Sequence, residues 1–97
     1  MAESMVVAKT FRVTGRVQGV GFRWSAQEEA RRLGLAGWVR NDADGSVSGL
    51  VQGQEAKVEA FTAWLHRGPR GTGVAEVFLA ETDPTGLRIF TVRSVIE

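Results

Sequence analysis

The segment Gly15-Arg16-Val17-Gln18-Gly19-Val20-Gly21-Phe22-Arg23 concentrates features that could do chemistry. Glycines at 15, 19 and 21 permit backbone angles closed to other residues and let the main chain approach a ligand. A helix beginning near Phe22 would leave its first amide N–H groups unpaired and present the positive end of its dipole. Together these make an anion site. Arg23, just inside the helix, adds a fixed charge and a planar fork suited to phosphate oxygens. Two familiar phosphate motifs do not fit. A Walker A loop would close with Gly-Lys-Ser/Thr, which is absent, and the dinucleotide fingerprint would need glycine where Trp24 stands. The same spacing also describes a plain helix-capping loop with a surface arginine, and the loop residues by themselves leave both readings open.

The elements around the loop follow from hydrophobic periodicity. Phe11 and Val13 alternate with Thr10, Arg12 and Thr14, which predicts a half-buried strand over Lys9–Thr14. Phe22, Ala26, Ala30 and Leu33 recur at helical spacing, with Gly34 placed to end the helix and Glu28 able to pair with Arg32 on its outer face. Ala36 to Asn41 reads as a second strand. Asp42-Ala43-Asp44-Gly45 is turn chemistry leading to a third strand, which Gly53 should break. Val58, Phe61 and Leu65 mark a second helix, closed by Arg67-Gly68-Pro69. Val74–Ala80 and Leu87–Val95 read as two further strands around a Pro84-Thr85-Gly86 turn, the last an addition at a sheet edge. The order is β-α-β-β-α-β plus an extra strand. It predicts an α+β, ferredoxin-like split βαβ sandwich with a mainly antiparallel sheet and two helices on one face. Residues 1–7 read as a loose tail and 8–97 as a single domain.

At this point the sequence resembles a known family. The segment Gly15–Arg23 is similar to the acylphosphatase signature, which runs Gly-x-Val-Gln-Gly-Val-x-aromatic-Arg. A second stretch, Gly37-Trp38-Val39-Arg40-Asn41 followed by Asp44-Gly45-Ser46-Val47, Gly49 and Gly53, resembles the family's second signature. Gly68-Pro69 and Phe90-x-Val92-Arg93 also fit, so the resemblance runs from about Lys9 to Arg93. It implies hydrolysis of a carboxyl–phosphate anhydride to a carboxylate and inorganic phosphate. The backbone amides of Gln18, Gly19, Val20, Gly21 and Phe22 would cradle the phosphoryl oxygens. Arg23 would bind the same group and stabilise its charge, and Asn41 would hold the attacking water. The family's ferredoxin-like fold agrees with the element order. Two departures stand out: Ala26 where relatives often carry threonine, and Asp42, a negative charge next to Asn41 that could simply face solvent.

Composition suits that chemistry. The 97 residues include no cysteine and one histidine, which excludes thiolate metal sites, cysteine nucleophiles and a multi-histidine centre within one chain. A carboxylate leaving group, with a conjugate acid of pKa roughly 4, needs little or no protonation to depart. A loose transition state asks for a placed water more than an activated one. An asparagine, an arginine and oriented amides therefore suffice, and no cofactor or metal is expected. His66, at the end of the second helix, suits a dipole-stabilising role, and Glu28 and Glu29 suit a solvated ion-pair face with Arg31 and Arg32. Trp38 and Trp64 are expected in the core, with Trp24 partly exposed. Asp42 and Asp44 read as turn residues rather than metal ligands.

Twelve basic against eleven acidic residues leave a net charge of +1, which offers no field for a polyanion. The competing reading is a non-catalytic anion-binding or RNA-binding module of the same fold. RNA-recognition sheets carry aromatics on central strands, and Gly49–Gly53 carries none. Similar domains occur within larger carbamoyl-transferring maturation proteins, but no zinc-finger extension is present here. No apolar run approaches the roughly 20 residues that span a bilayer, and no secretory signal is evident. The expectation is a cytoplasmic monomer acting on a small acyl phosphate, with no nucleic-acid or membrane partner.

Overall fold

The computed structural model describes residues 5–94. Its elements are β1 (Val6–Arg16), α1 (Phe22–Arg32), β2 (Ala36–Asn41), β3 (Val47–Gln54), α2 (Glu55–Leu65), β4 (Gly73–Thr82) and β5 (Phe90–Val92). The five strands form one sheet in the order β4-β1-β3-β2-β5. All pairs are antiparallel except β2–β5, which is parallel. This is the expected ferredoxin-like α+β sandwich, with β5 added at the edge beside β2.

The core forms where the two periodicities meet. Phe11 and Val13 of β1 sit opposite Gly49 and Val47 of β3, so their side chains share one face of the sheet. Phe22, Ala26 and Ala30 of α1 and Val58, Phe61 and Leu65 of α2 close over that face in a single buried cluster. Phe61 stands at its centre. Its ring centroid lies 5.6 Å from that of Phe11, 5.6 Å from Phe90 and 6.0 Å from Trp64. Full burial of one such side chain stabilises the fold by roughly 1.5–3 kcal/mol. Ala26, the position where relatives often carry threonine, lies fully buried in this cluster. Among the described residues, the opposite face of the sheet carries no helix.

Several expectations need correction. β1 starts at Val6, inside the stretch read as tail, because Val6 and Val7 extend its ladder to Gln54 and Gly53; residues 1–4 lie outside the described part. β3 continues through Gly53 to Gln54, because the ladder to β1 accommodates the glycine. The last strand is only Phe90–Val92. Leu87 is held instead by Gln52, whose Nε2 donates to the carbonyls of Thr85 and Leu87 at 3.0 and 3.3 Å. The amide and hydroxyl of Thr85 both donate back to Gln52 Oε1 at 2.8 Å. This clasp pins the β4–β5 connection as it crosses to the far edge. Val95 lies outside the described residues. Trp38 is not core: it is half-buried on the helix-free face, with the guanidinium carbons of Arg40 and Arg93 at 4.9 and 4.6 Å from the ring centre. Trp64 is buried and Trp24 exposed, as expected. Arg32 pairs with Glu29, one turn back at i,i+3, rather than with Glu28.

Candidate active site

The C-terminal ends of β1 and β2 lie at the same end of the sheet, flanking the start of β3. Here the chain leaves β1, turns through Val17–Gly21 and enters α1. Val17 is buried and anchors the turn. Gly19 and Gly21 take left-handed φ angles of 76° and 78°, a region that costs an L-residue roughly 1–2 kcal/mol. Gly21 is also the N-cap of α1, so no side chain caps the helix. Its carbonyl accepts the first helical bond, from Ser25 N at 3.0 Å. Among the described residues, the amides from Gln18 to Trp24 have no backbone partner. Amides without backbone partners at a helix start, next to the positive end of its dipole, are suited to receive an anion.

Arg23 lies in the first turn of α1, half-buried, and its Nη1 donates weakly to the Arg93 carbonyl at 3.5 Å. The guanidinium is thus drawn toward β5 at the mouth of the loop. Asn41 is the last residue of β2 and lies opposite Val47, which in turn lies opposite Val13. That register places the Asn41 side chain on the helix-covered face, where it is half-buried at the loop end of the sheet.

The hairpin after Asn41 is tightly held. Asp42 N donates to the Ser46 carbonyl at 2.8 Å. The Asp42 carboxylate accepts from Ser46 Oγ at 2.8 Å, from Arg40 Nε at 3.1 Å and from Ser48 Oγ. Burial works against this charge, but the bonds from Ser48, Ser46 and Arg40 outweigh it and hold the carboxyl below its ordinary range. Asp44 is held lower still by the hydroxyl and amide of Ser46 and by Arg12. Arg40 and Ser48 lie opposite each other on the helix-free face. The Asp42 charge therefore points neither to solvent nor toward Asn41, but into this network on the other side of the sheet. Asp42 and Asp44 are turn residues with hydrogen-bonded duties, and among the described residues no three metal-ligating side chains converge. His66 is the exposed C-cap of α2, two residues beyond Trp64, whose ring centroid lies 5.4 Å from that of Phe22.

Sequence reasoning singled out the loop, Arg23 and Asn41 without placing them relative to one another; in the structure all three lie at one end of the sheet. It did not foresee the Gln18 side chain. Gln18 Nε2 donates to the carbonyls of Asp42 and Ser46, each at 2.9 Å, and so ties the loop to the hairpin. The available signal was its polarity in a loop otherwise made of valine and glycine.

The acylphosphatase family model matches residues 9–92. The chain belongs to the acylphosphatase family. It is 51% identical over 83 residues to an acylphosphatase from Azoarcus sp. (strain BH72), a match covering 86% of this chain and 85% of the relative. The fold superposes on an acylphosphatase from Coxiella burnetii with a TM-score of 0.90 at 33% identity, covering 96% of this chain and all of that one. An acylphosphatase from Bacillus subtilis gives 0.87 at 36% identity, covering 92% of this chain and 99% of that one. Family membership makes the chain a hydrolase and favours the anion-site reading of the glycine loop over a plain capping loop. No helix among the described residues is long and apolar enough to cross a membrane.

Proposed function

We propose that the chain hydrolyses small acyl phosphates at the β1–α1 loop. The observation that carries this reading is the run of unpartnered amides from Gln18 to Phe22, continuous with Arg23 at the start of α1. These groups bind the phosphoryl oxygens and keep their orientation through the reaction, so stabilisation of the transition state costs no reorganisation. Arg23 adds a mobile charge and spreads it over two oxygens. Asn41 holds a water through its side-chain amide, with the carbonyl accepting a water proton. The water oxygen forms a bond to phosphorus as the bond from phosphorus to the acyl oxygen breaks. The electron pair leaves on a carboxylate, and the water's proton passes to phosphate or solvent. One chain supplies every group, which supports action as a monomer.

Purified protein mixed with benzoyl phosphate and a chelator tests this directly. Hydrolysis well above the buffer rate is expected, and a rate equal to buffer sinks the reading. Replacement of Arg23 by alanine should weaken inhibition by inorganic phosphate and lower kcat by about 100-fold or more, the scale for loss of one aimed donor. Full activity in that variant removes Arg23 from the cradle.

A further inference from the structure

Gln18 belongs to two parts of the site at once. Its backbone lies in the unpartnered amide run, while its side chain reaches the β2–β3 hairpin. The two 2.9 Å contacts are both to carbonyl oxygens, of Asp42 and of Ser46. Only the NH₂ end of the amide can satisfy two acceptors, so the orientation of the side chain is settled by its partners. Asp42 directly follows Asn41. Its N–H is bound to the Ser46 carbonyl, its own carbonyl is bound by Gln18, and its carboxylate is bound by Arg40, Ser46 and Ser48. Within the described residues, Gln18 is the polar side chain that joins the loop to this held segment.

We infer that Gln18 is a positioning residue: its side-chain amide sets the spacing between the phosphoryl cradle and the Asn41 water. The inference rests on the site assignment proposed above. Phosphate binding needs only the loop and Arg23, whereas in-line attack needs the loop and Asn41 in a fixed relation. A link between the two should therefore govern turnover and leave binding alone. Misplacement of a reacting group by about 1 Å can cost on the order of 100-fold in rate.

Two variants test it, with kcat, KM and competitive inhibition by inorganic phosphate measured for each. Gln18→Met keeps the length and removes both donors. Its kcat should fall about 10- to 100-fold, while KM and the phosphate inhibition constant stay within about 3-fold. Gln18→Glu sets a carboxylate against two carbonyls at neutral pH. As pH falls from about 7 to 5, protonation restores one O–H donor, and kcat should climb relative to Gln18→Met. Asp42 and Asp44 on the hairpin are held below the ordinary carboxylate range, and the other charged groups nearby are the arginines Arg12, Arg40 and Arg23. Repulsion of substrate by the new carboxylate would appear in KM and phosphate inhibition, and so is separable from the kcat effect. The inference is overturned if Gln18→Met loses phosphate binding in step with kcat, if its kcat stays within 2-fold of the parent, or if Gln18→Glu shows no recovery in acid. Failure of the underlying site assignment looks different: Asn41→Ala would keep the parent kcat, whatever the Gln18 variants do.

Discussion

Replacement of Gly21 by alanine isolates the backbone geometry of the loop from its surroundings. A Cβ built on Gly21 meets no atom within 4 Å, so the substitution introduces no clash. What it introduces is a side chain at φ 78°, where an L-residue pays roughly 1–2 kcal/mol. The loop has two ways to respond. If it keeps its shape, the whole penalty lowers folding stability, and the melting temperature drops by about 4–8 °C for each kcal/mol in a domain of this size. If it relaxes in the free protein, stability is spared. Phosphate must then restore the left-handed geometry on binding, and affinity falls by about 5- to 30-fold for the same energy. The two losses, expressed as free energies, should sum to about 1–2 kcal/mol however they divide. Urea denaturation and titration with inorganic phosphate measure them independently. Gly19, at φ 76° with equally open surroundings, provides a second case. A variant that loses neither stability nor phosphate affinity would refute the claim that left-handed geometry at this position builds the cradle. A loss far above the range would show that unforeseen contacts, not backbone strain, decide the site.

Other consequences can be checked alongside. Asn41→Ala should lower kcat far more than it weakens phosphate inhibition, since Asn41 is assigned to the water; steady-state kinetics with benzoyl phosphate decides this. Phe61→Ala removes the ring at the centre of the aromatic cluster and should cost about 3–5 kcal/mol by urea denaturation, without a specific effect on KM in the folded fraction. The depressed Asp42 and Asp44 carboxyls give the pH dependence a definite sign. Their contribution is full above the unfolded carboxylate pKa of about 4 and is lost as pH falls through their lower folded values. The urea midpoint should therefore hold steady from about pH 7 to 5 and decline below about 4, with Asp42→Asn flattening part of that decline.

What could be read in advance, and what could not, divides by range of interaction. β2 runs over Ala36–Asn41 and α1 begins at Phe22, as the local patterns say, because periodicity and turn residues act within a few positions. The loop's shape as a candidate anion site was legible for the same reason: glycine, helix start and arginine are consecutive. The missed features are set by partners far along the chain. Gln18 is bound 24 and 28 residues away, and β5 is trimmed because Gln52 captures Thr85. Trp38 went astray differently. Its size argued for the core, yet alternation with Val39, which is fully buried, already assigned it to the other face. Two guanidiniums then cover it in place of a helix. The choice of Glu29 over Glu28 by Arg32 is a rotamer matter on one exposed helix face, where both spacings are compatible with helix geometry.

The sheet order also governs how fast the molecule can assemble. β1 occupies the second position and needs two neighbours: β3, and β4, whose register joins Ala8 to Thr82. Few local contacts can stand in for that second pairing, and closing so long a loop must precede any reward from it. Domains dominated by such distant pairings fold in milliseconds to seconds rather than microseconds. The amide cradle hangs between β1 and α1, so it acquires its final shape only when the strand encoded first has met one encoded near the end. Recovery of hydrolysis during refolding should therefore track the slowest change in tryptophan fluorescence, with no active species formed ahead of it.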